Sequence, residues 1–370
     1  MEVMHPDRFR SRGEGQREVS TVVVHIDTDE GLSGISGPMS LNEAFFVNTQ
    51  LKSFLIGQNA LATELIWDKM YRQLIHGRKG EAMFAVSAID NALWDIRGKA
   101  ANLPLYQLLG GPYQRKRRVY AYGWYTNPAS PSQIAEEAEA VVSMRYNAMK
   151  FDPFGRSSYT TISREEAQLA VDRVAAAREA VGATVDILIE VHAKFNVYTA
   201  VDLARRMEEF SPFWYEEPVS QENLSEMKQV KDRIGIPVAT GERLYLKFPF
   251  FELVKNQAAD ILQPDICNAG GITELQKIGA LSEAQHVMMA PHNTNSAVGT
   301  VASLHLDAAM PNFLIQEYHA EFYEPHYFEV VNGLPRQENG YVDLPSGPGP
   351  VSYTHLRAHE TEADLVCRLL

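Results

Sequence analysis

Short runs of β-branched, aromatic and apolar residues alternate with amphipathic segments along most of this chain, and the rhythm changes near residue 110. Before that point "STVVVHIDT" (20–28) reads as a strand closed by the turn "DEGLSG", and Ala- and Leu-rich helical segments follow. The clearest helix lies within 80–111, where Phe84, Ile89, Leu93 and Ile96 recur at near-helical spacing. Pro104 opens a short second helix carrying Leu105, Leu108 and Leu109, and Gly110 and Gly111 stop it. This is the pattern of a small α+β unit, with no convincing strand before "STVVVHI".

From "RVYAYGWY" (118–125) onward, strand-like runs recur at 146–152, 185–192, 212–218, 236–242, 260–265, 286–292 and 312–318, separated by helices such as 164–181. Eight strands, each followed by a helix or its equivalent over about 200 residues, predict an α/β fold of the TIM-type (β/α)8 barrel. The competing layout, a doubly wound open sheet, would want a glycine-rich G-x-G-x-x-G turn after a strand, and the chain has none.

The polar residues at the strand ends carry the chemistry. Glu190, Glu216, Glu242, Asp265, His292 and Glu317 follow one another at intervals of 26, 26, 23, 27 and 25 residues. Each interval is one βα unit, so successive units deliver one ionisable group each to the C-terminal rim, where barrel active sites form. Strand side chains repeat every two residues, which predicts that Glu190 and His192 in "ILIEVHAKFN" share the inward face. Three carboxylates on consecutive strands repel one another unless a cation sits between them. Oxygen-only donors with room for water favour Mg²⁺ over zinc, so Glu190, Glu216 and Glu242 are the candidate metal ligands, for one ion per subunit.

Bulk composition removes other classes. The 370-residue chain has 34 Lys and Arg against 47 Asp and Glu, a formal charge of -13, which makes a nucleic-acid partner a poor expectation. No apolar run approaches the roughly 20 residues of a membrane helix. The start has no apolar core of signal-peptide length, and Cys267 and Cys367 are the only cysteines. A cytoplasmic protein without a disulfide framework is expected.

Several strings together resemble the enolase superfamily and, within it, the mandelate racemase subgroup, from about residue 20 to 350. "AIDNALWDIRGKAANLPLYQLLGG" is similar to the subgroup's link from capping domain to barrel. "YEEP" and "TGER" are similar to its second and third metal strands, and "ILQPDICNAGGITE" and "APHNTNSAVG" to its Asp and His strands. The acid-sugar dehydratases for galactonate or gluconate similarly place a carboxylate-x-His on the third barrel strand. The resemblance implies an enolase-like modified barrel (113–330) behind an N-terminal α+β capping domain (1–112), with 331–350 returning to the cap and a homo-oligomeric assembly. Residues 351–370 resemble translated vector sequence and are set aside, with His355, His359 and Cys367.

It further implies a Mg²⁺-dependent dehydration of an aldonic acid to a 2-keto-3-deoxy acid. His292 would take the proton next to the substrate carboxylate, Asp265 would orient His292, and His192 would protonate the departing 3-hydroxyl. Glu317 would donate a hydrogen bond to the substrate carboxylate, given a raised pKa. The subgroup's racemases carry Lys-x-Lys on the second strand, whereas this chain has Lys150 and Asp152. Lys150 is then left to neutralise charge beside the substrate carboxylate, and Asp152, Asn293 and Asn295 are candidate substrate contacts. Glu217 is read as supporting the ligands, and His319 and His326 as loop or surface residues in reach of substrate. Glu190 departs from the subgroup's more usual Asp. An epimerase or racemase, a cycloisomerase and a non-catalytic metal-holding scaffold are the alternative readings.

Overall fold

The computed structural model describes residues 7–9, 19–74, 77–155, 159–294, 296–323, 327–331 and 333–350. Strands β1 (Asp7–Phe9), β2 (Val19–Asp27) and β3 (Ser33–Met39) form an antiparallel sheet in chain order. β1 is one element more than the sequence predicted. Its three residues carry too little alternation to signal a strand, and pairing with β2 from Asp7↔Thr21 to Phe9↔Val19 makes it one.

The long helix Glu81–Ala101 starts at Gly80 and ends at Asn102, which is left-handed at φ 51°. It is buried on most of its circumference because it lies between the small sheet and the barrel. On the sheet side Ile35 N–H donates to Asp95 Oδ2 at 3.0 Å. The approach there is so close that a Cβ on Gly34 would meet the Ala92 carbonyl oxygen at 2.0 Å. On the barrel side Asp90 accepts from Thr273 N and Oγ1 at 2.9 and 2.6 Å, and Asn91 donates to the Ile266 carbonyl at 3.1 Å. Trp67 Nε1 adds a bond to the Gly270 carbonyl at 2.8 Å. Every barrel partner named lies in 266–273, so the cap is bolted beside Asp265.

The barrel is built from parallel strands β4 (Lys116–Ala121), β5 (Ala148–Phe151), β6 (Asp186–Glu190), β7 (Trp214–Glu216), β8 (Val238–Thr240), β9 (Ile261–Leu262), β10 (Met288–Met289) and β11 (Gln316–Tyr318). β4 to β10 pair in sequence, β11 pairs with β4, and a Met289↔Phe313 bridge closes the ring. Seven strands are followed by helices of 8 to 18 residues, and among the described residues after β11 Ala320–Tyr323 and Tyr327–Val330 are helical. β12 (Tyr341–Asp343) pairs antiparallel with β4, and Gly349 bridges to Pro104.

Inside the ring Tyr120, Ala148, Leu188, Trp214, Ala239, Ile261, Ala290 and Ile315 make one buried layer, one residue from each strand or its extension. Large and small residues interleave, and Tyr120 meets Trp214 edge-on at 5.4 Å. Truncating Trp214 would cost about 3–5 kcal/mol, because this layer is the floor on which the charged residues stand. The inward positions two residues further along are Tyr122, Lys150, Glu190, Glu216, His292 and Glu317. The predicted strand windows run past the observed ends because ladder pairing stops where the strands splay at the rim: Glu242 lies two residues beyond β8, and Asp265 and His292 three beyond β9 and β10. Among the described residues no helix is long and apolar enough to cross a membrane. The tail 351–370 lies outside the described residues.

Candidate active site

Glu190 and Glu216 are register partners on β6 and β7, and Glu242 joins them from the turn after β8. One oxygen of each lies within 4.8 Å of the others. Glu190 Oε1 accepts the His192 N–H at 2.7 Å, while its buried Oε2 is ion-paired with Lys150 Nζ at 3.3 Å. Glu216 accepts from Trp214 Nε1 at 2.8 Å and Lys150 Nζ at 2.7 Å. Burial, then the neighbouring Glu190, pushes the Glu216 carboxyl up to about 8, outweighing Lys150. Three oxygen donors crowded this way form a cluster that could hold a hard divalent ion.

Lys150 is 1% exposed. Its Nζ stands 2.7 Å from Glu216, 2.9 Å from Glu317 and 3.3 Å from Glu190. Burial would lower its pKa, but Glu216 and Glu317 more than reverse that, so it stays charged. Glu217 follows β7 in left-handed backbone, φ 41°, with Arg243 Nη1 3.2 Å from its Oε2.

His292 is the first of two paired imidazoles. Its Nδ1 lies 2.6 Å from Asp265 Oδ2, and Asp265 Oδ1 takes the Cys267 N–H at 2.6 Å. An ionised carboxylate only accepts, so Nδ1 carries the proton and Nε2 faces outward. There it meets Thr294 Oγ1 at 3.3 Å, Glu242 Oε2 at 3.4 Å and Glu317 Oε2 at 3.9 Å. Burial opposes the charge, yet Glu242, Glu317 and Asp265 together raise its pKa to about 10.

His192 does not reach the mouth by strand alternation. β6 ends at Glu190, and His192 and Ala193 both adopt φ 55°, a left-handed bend that non-glycine residues rarely hold. The bend is fixed by Ala193 N–H on the Glu217 carbonyl at 2.8 Å and by the His192 N–H on Glu190. His192 Nδ1 lies 2.9 Å from Asp152 Oδ2, and Lys194 Nζ also binds that oxygen. Burial lowers the His192 pKa, but Glu190 and Asp152 outweigh it and carry it to about 9.

Four expectations change. Asp152 is not turned to the open mouth: its side chain is 2% exposed and its oxygens are taken by His192, Lys194 and the Phe154 N–H. Asn293 is 2% exposed, with Nδ2 bonded to Thr300 Oγ1 and the Glu317 carbonyl, because it seats the turn after β10. Glu317 is no donor here. Burial alone would raise its pKa, but Lys150, His292 and the Asn293 N–H bring it down to about 2, so it accepts. His319 is not at the surface but 1% exposed, edge-on to Tyr327 at 5.2 Å, with burial lowering its pKa to about 4. Asn295 and His326 lie outside the described residues. Lys194 and Arg243, whose Nη1 donates to the His192 carbonyl at 3.2 Å, were missed. Strand alternation gave no valid signal for Lys194, which lies past the end of β6 and the left-handed bend at His192 and Ala193.

A cap bolted over a parallel barrel whose third, fourth and fifth strands each bring a carboxylate to the rim defines one class of protein. Residues 9–110 match the mandelate racemase / muconate lactonizing enzyme N-terminal domain and residues 133–350 the enolase C-terminal domain-like family, and the chain belongs to the enolase superfamily. It is 38% identical to the D-gluconate dehydratase of Thermoproteus tenax over 75% of this chain and 56% of that one. With the D-gluconate/D-galactonate dehydratase of Picrophilus torridus it shares 36% identity over 79% of this chain and 74% of the other. The chain thus spans little more than half the length of the first of these relatives. Among solved structures, an enolase superfamily member from Salmonella Typhimurium superposes with a TM-score of 0.84 at 32% identity, covering 94% of this chain and 95% of that one.

Proposed function

We propose that this protein is a Mg²⁺-dependent dehydratase of an aldonic acid, releasing water and a 2-keto-3-deoxy acid. The observation that carries the reading is the pair of imidazoles at one barrel mouth, each held at Nδ1 by a buried aspartate. Dehydration needs one group to take a proton and another to give one, and the two rings supply both. Glu190, Glu216 and Glu242 would hold the ion, which when bound offsets their charge and, through the substrate carboxylate, makes the neighbouring C–H acidic enough to lose its proton.

The Glu242 carboxylate that contributes most to raising the His292 pKa is one of the ion's own holders, so in the loaded site its charge would be offset and the ring could stand neutral. His292 Nε2 then takes the C2 proton, and Asp265 stabilises the imidazolium that results. The electron pair left at C2 becomes the C2–C3 double bond as the C3–O bond breaks. His192 Nε2 gives its proton to the leaving oxygen, so that water departs neutral, and the resulting enol settles as the 2-keto acid. Lys150 keeps a fixed positive charge beneath the carboxylates. Asp152, tied to His192 and Lys194, does not stand free as a second base opposite His292, which weighs against two-base epimerisation.

The names of the relatives support the substrate class and direct the test: purified protein with Mg²⁺, then EDTA, against aldonic and aldaric acids, with 2-keto acid captured by semicarbazide. Metal-dependent product from one or a few acids is expected. Solvent deuterium entering C2 without keto acid would instead mean an epimerase. Cytoplasmic residence, a homo-oligomeric state and the division at residues 112 and 330 belong to the same proposal. Light scattering on the eluted protein and limited proteolysis check the last two.

A further inference from the structure

Asp152 and Asp265 are used alike. Asp152 follows β5 and serves the histidine after β6; Asp265 follows β9 and serves the histidine after β10. In each, Oδ1 accepts the backbone N–H two residues on, Phe154 at 2.9 Å or Cys267 at 2.6 Å. In each, Oδ2 takes a histidine Nδ1, at 2.9 Å for His192 and 2.6 Å for His292. Both carboxylates are buried, at 2% and 1% exposure, while the His192 ring keeps 31%. The buried edge of His192 is therefore Nδ1, and the accessible edge carries Nε2.

We propose that Asp152, anchored by Lys194, is the positioning residue that keeps the His192 proton on Nδ1 once Nε2 has given its own to the departing hydroxyl. The inference rests on the dehydratase reading of the site and adds a residue to it. Asp152 stays ionised throughout: the proton that leaves with water comes from Nε2, the Nδ1 proton remains in the bond to Oδ2, and the exposed edge regains its proton from solvent. Without that acceptor the neutral ring is free to carry its proton on Nε2, which leaves the buried Nδ1 as the vacant nitrogen, away from the solvent that recharges the exposed edge, and the left-handed bend at His192 loses its side-chain tether. The competing use of Asp152 is loop anchoring, since Lys194 Nζ also bonds the Gly155 carbonyl at 3.0 Å. Anchoring alone makes no demand on which ring nitrogen holds the proton.

The test combines two readouts. Histidine ¹⁵N spectra of the Mg²⁺-loaded protein, assigned with His192→Gln, should show the neutral wild-type ring protonated on Nδ1, as its 2.9 Å contact with buried Asp152 requires, and the Asp152→Asn ring largely on Nε2. In the same variant dehydration should fall about 10²- to 10³-fold while deuterium exchange at C2 and KM stay within about threefold of wild type. A wild-type ring protonated on Nε2, or a spectrum unchanged by Asp152→Asn, overturns the proposal whatever the protein turns over. Dehydration and exchange falling together overturns it too, since that is what a loosened fold does. Absence of keto acid from the wild type sinks the dehydratase reading alone, because the spectra still decide the tautomer. The wild-type spectrum serves even if Asp152→Asn does not fold.

Discussion

His292 and His192 each give Nδ1 to an aspartate from the preceding strand, yet the chain reaches the two rings differently. His292 sits 12% exposed among Glu242, Glu317 and Thr294, and its aspartate is 27 residues away. His192 is 31% exposed, rides on two successive left-handed residues, and pairs across 40 residues of chain with an aspartate that also holds Lys194. The buried ring is placed to receive a proton from a substrate pressed against it. The exposed ring is placed to give one and be replenished. Similar joints in different ground separate a base from an acid, the distinction the proposed reaction needs.

The widest breach between the two arms should come from His292→Asn. It is expected to lower dehydration by about 10⁴-fold and to silence deuterium entry at C2 equally, measured on the same substrate. Exchange surviving in this variant would take the base role away from His292. Lys150→Met tests the ground beneath both arms, since it leaves three buried carboxylates without their cation. A loss of about 3–5 kcal/mol in urea unfolding is expected, smaller when Mg²⁺ is added. Unchanged stability would mean that Lys150 compensates little. His192→Asn sharpens the division: keto-acid formation should drop about 10²- to 10³-fold with C2 exchange preserved. Equal loss of both would make the arms interchangeable.

A third histidine supplies the control. His305 is fully buried against Tyr106, whose N–H donates to its Nδ1 at 3.4 Å and whose ring stacks on it at 5.4 Å. Burial drives its pKa down to about 3, the direction opposite to the two carboxylate-paired rings. Because the folded value lies below the unfolded one, the unfolded chain binds more protons between about pH 6.5 and 3, and stability falls as pH drops through that window. The share due to His305 is about 2 kcal/mol by about pH 5, and His305→Gln should flatten that limb of the melting-temperature profile. An unaltered acid limb would show that burial is not what separates this ring from the others.

The same pair of arms explains what could be read in advance. Glu190, Glu216, Glu242, Asp265, His292 and Glu317 announce themselves because each closes one βα unit of nearly constant length. Asp152 was legible as a residue but not as a partner. The helix between β5 and β6 runs 18 residues, so the pair is spaced unlike Asp265 and His292, and a comparison with lysine at that position drew it toward substrate. Period-two alternation put His192 at the mouth for the wrong reason, since a left-handed bend cannot be seen in a run of ordinary residues. The donor expected at Glu317 failed because its ionisation is set by Lys150 from two strands away around the ring, a contact that only the closing of β11 onto β4 creates.

Lys150 also bears on the order in which the protein is assembled. A newly made chain must bring Glu190, Glu216 and Glu317 together in its interior, a step that mutual repulsion would otherwise hold back until an ion arrived. The ammonium among them is carried on the chain itself and is present from the moment β5 joins β6. On the proposed reading, closure of the barrel need not wait for the ion, because the charge that offsets these carboxylates comes with the chain.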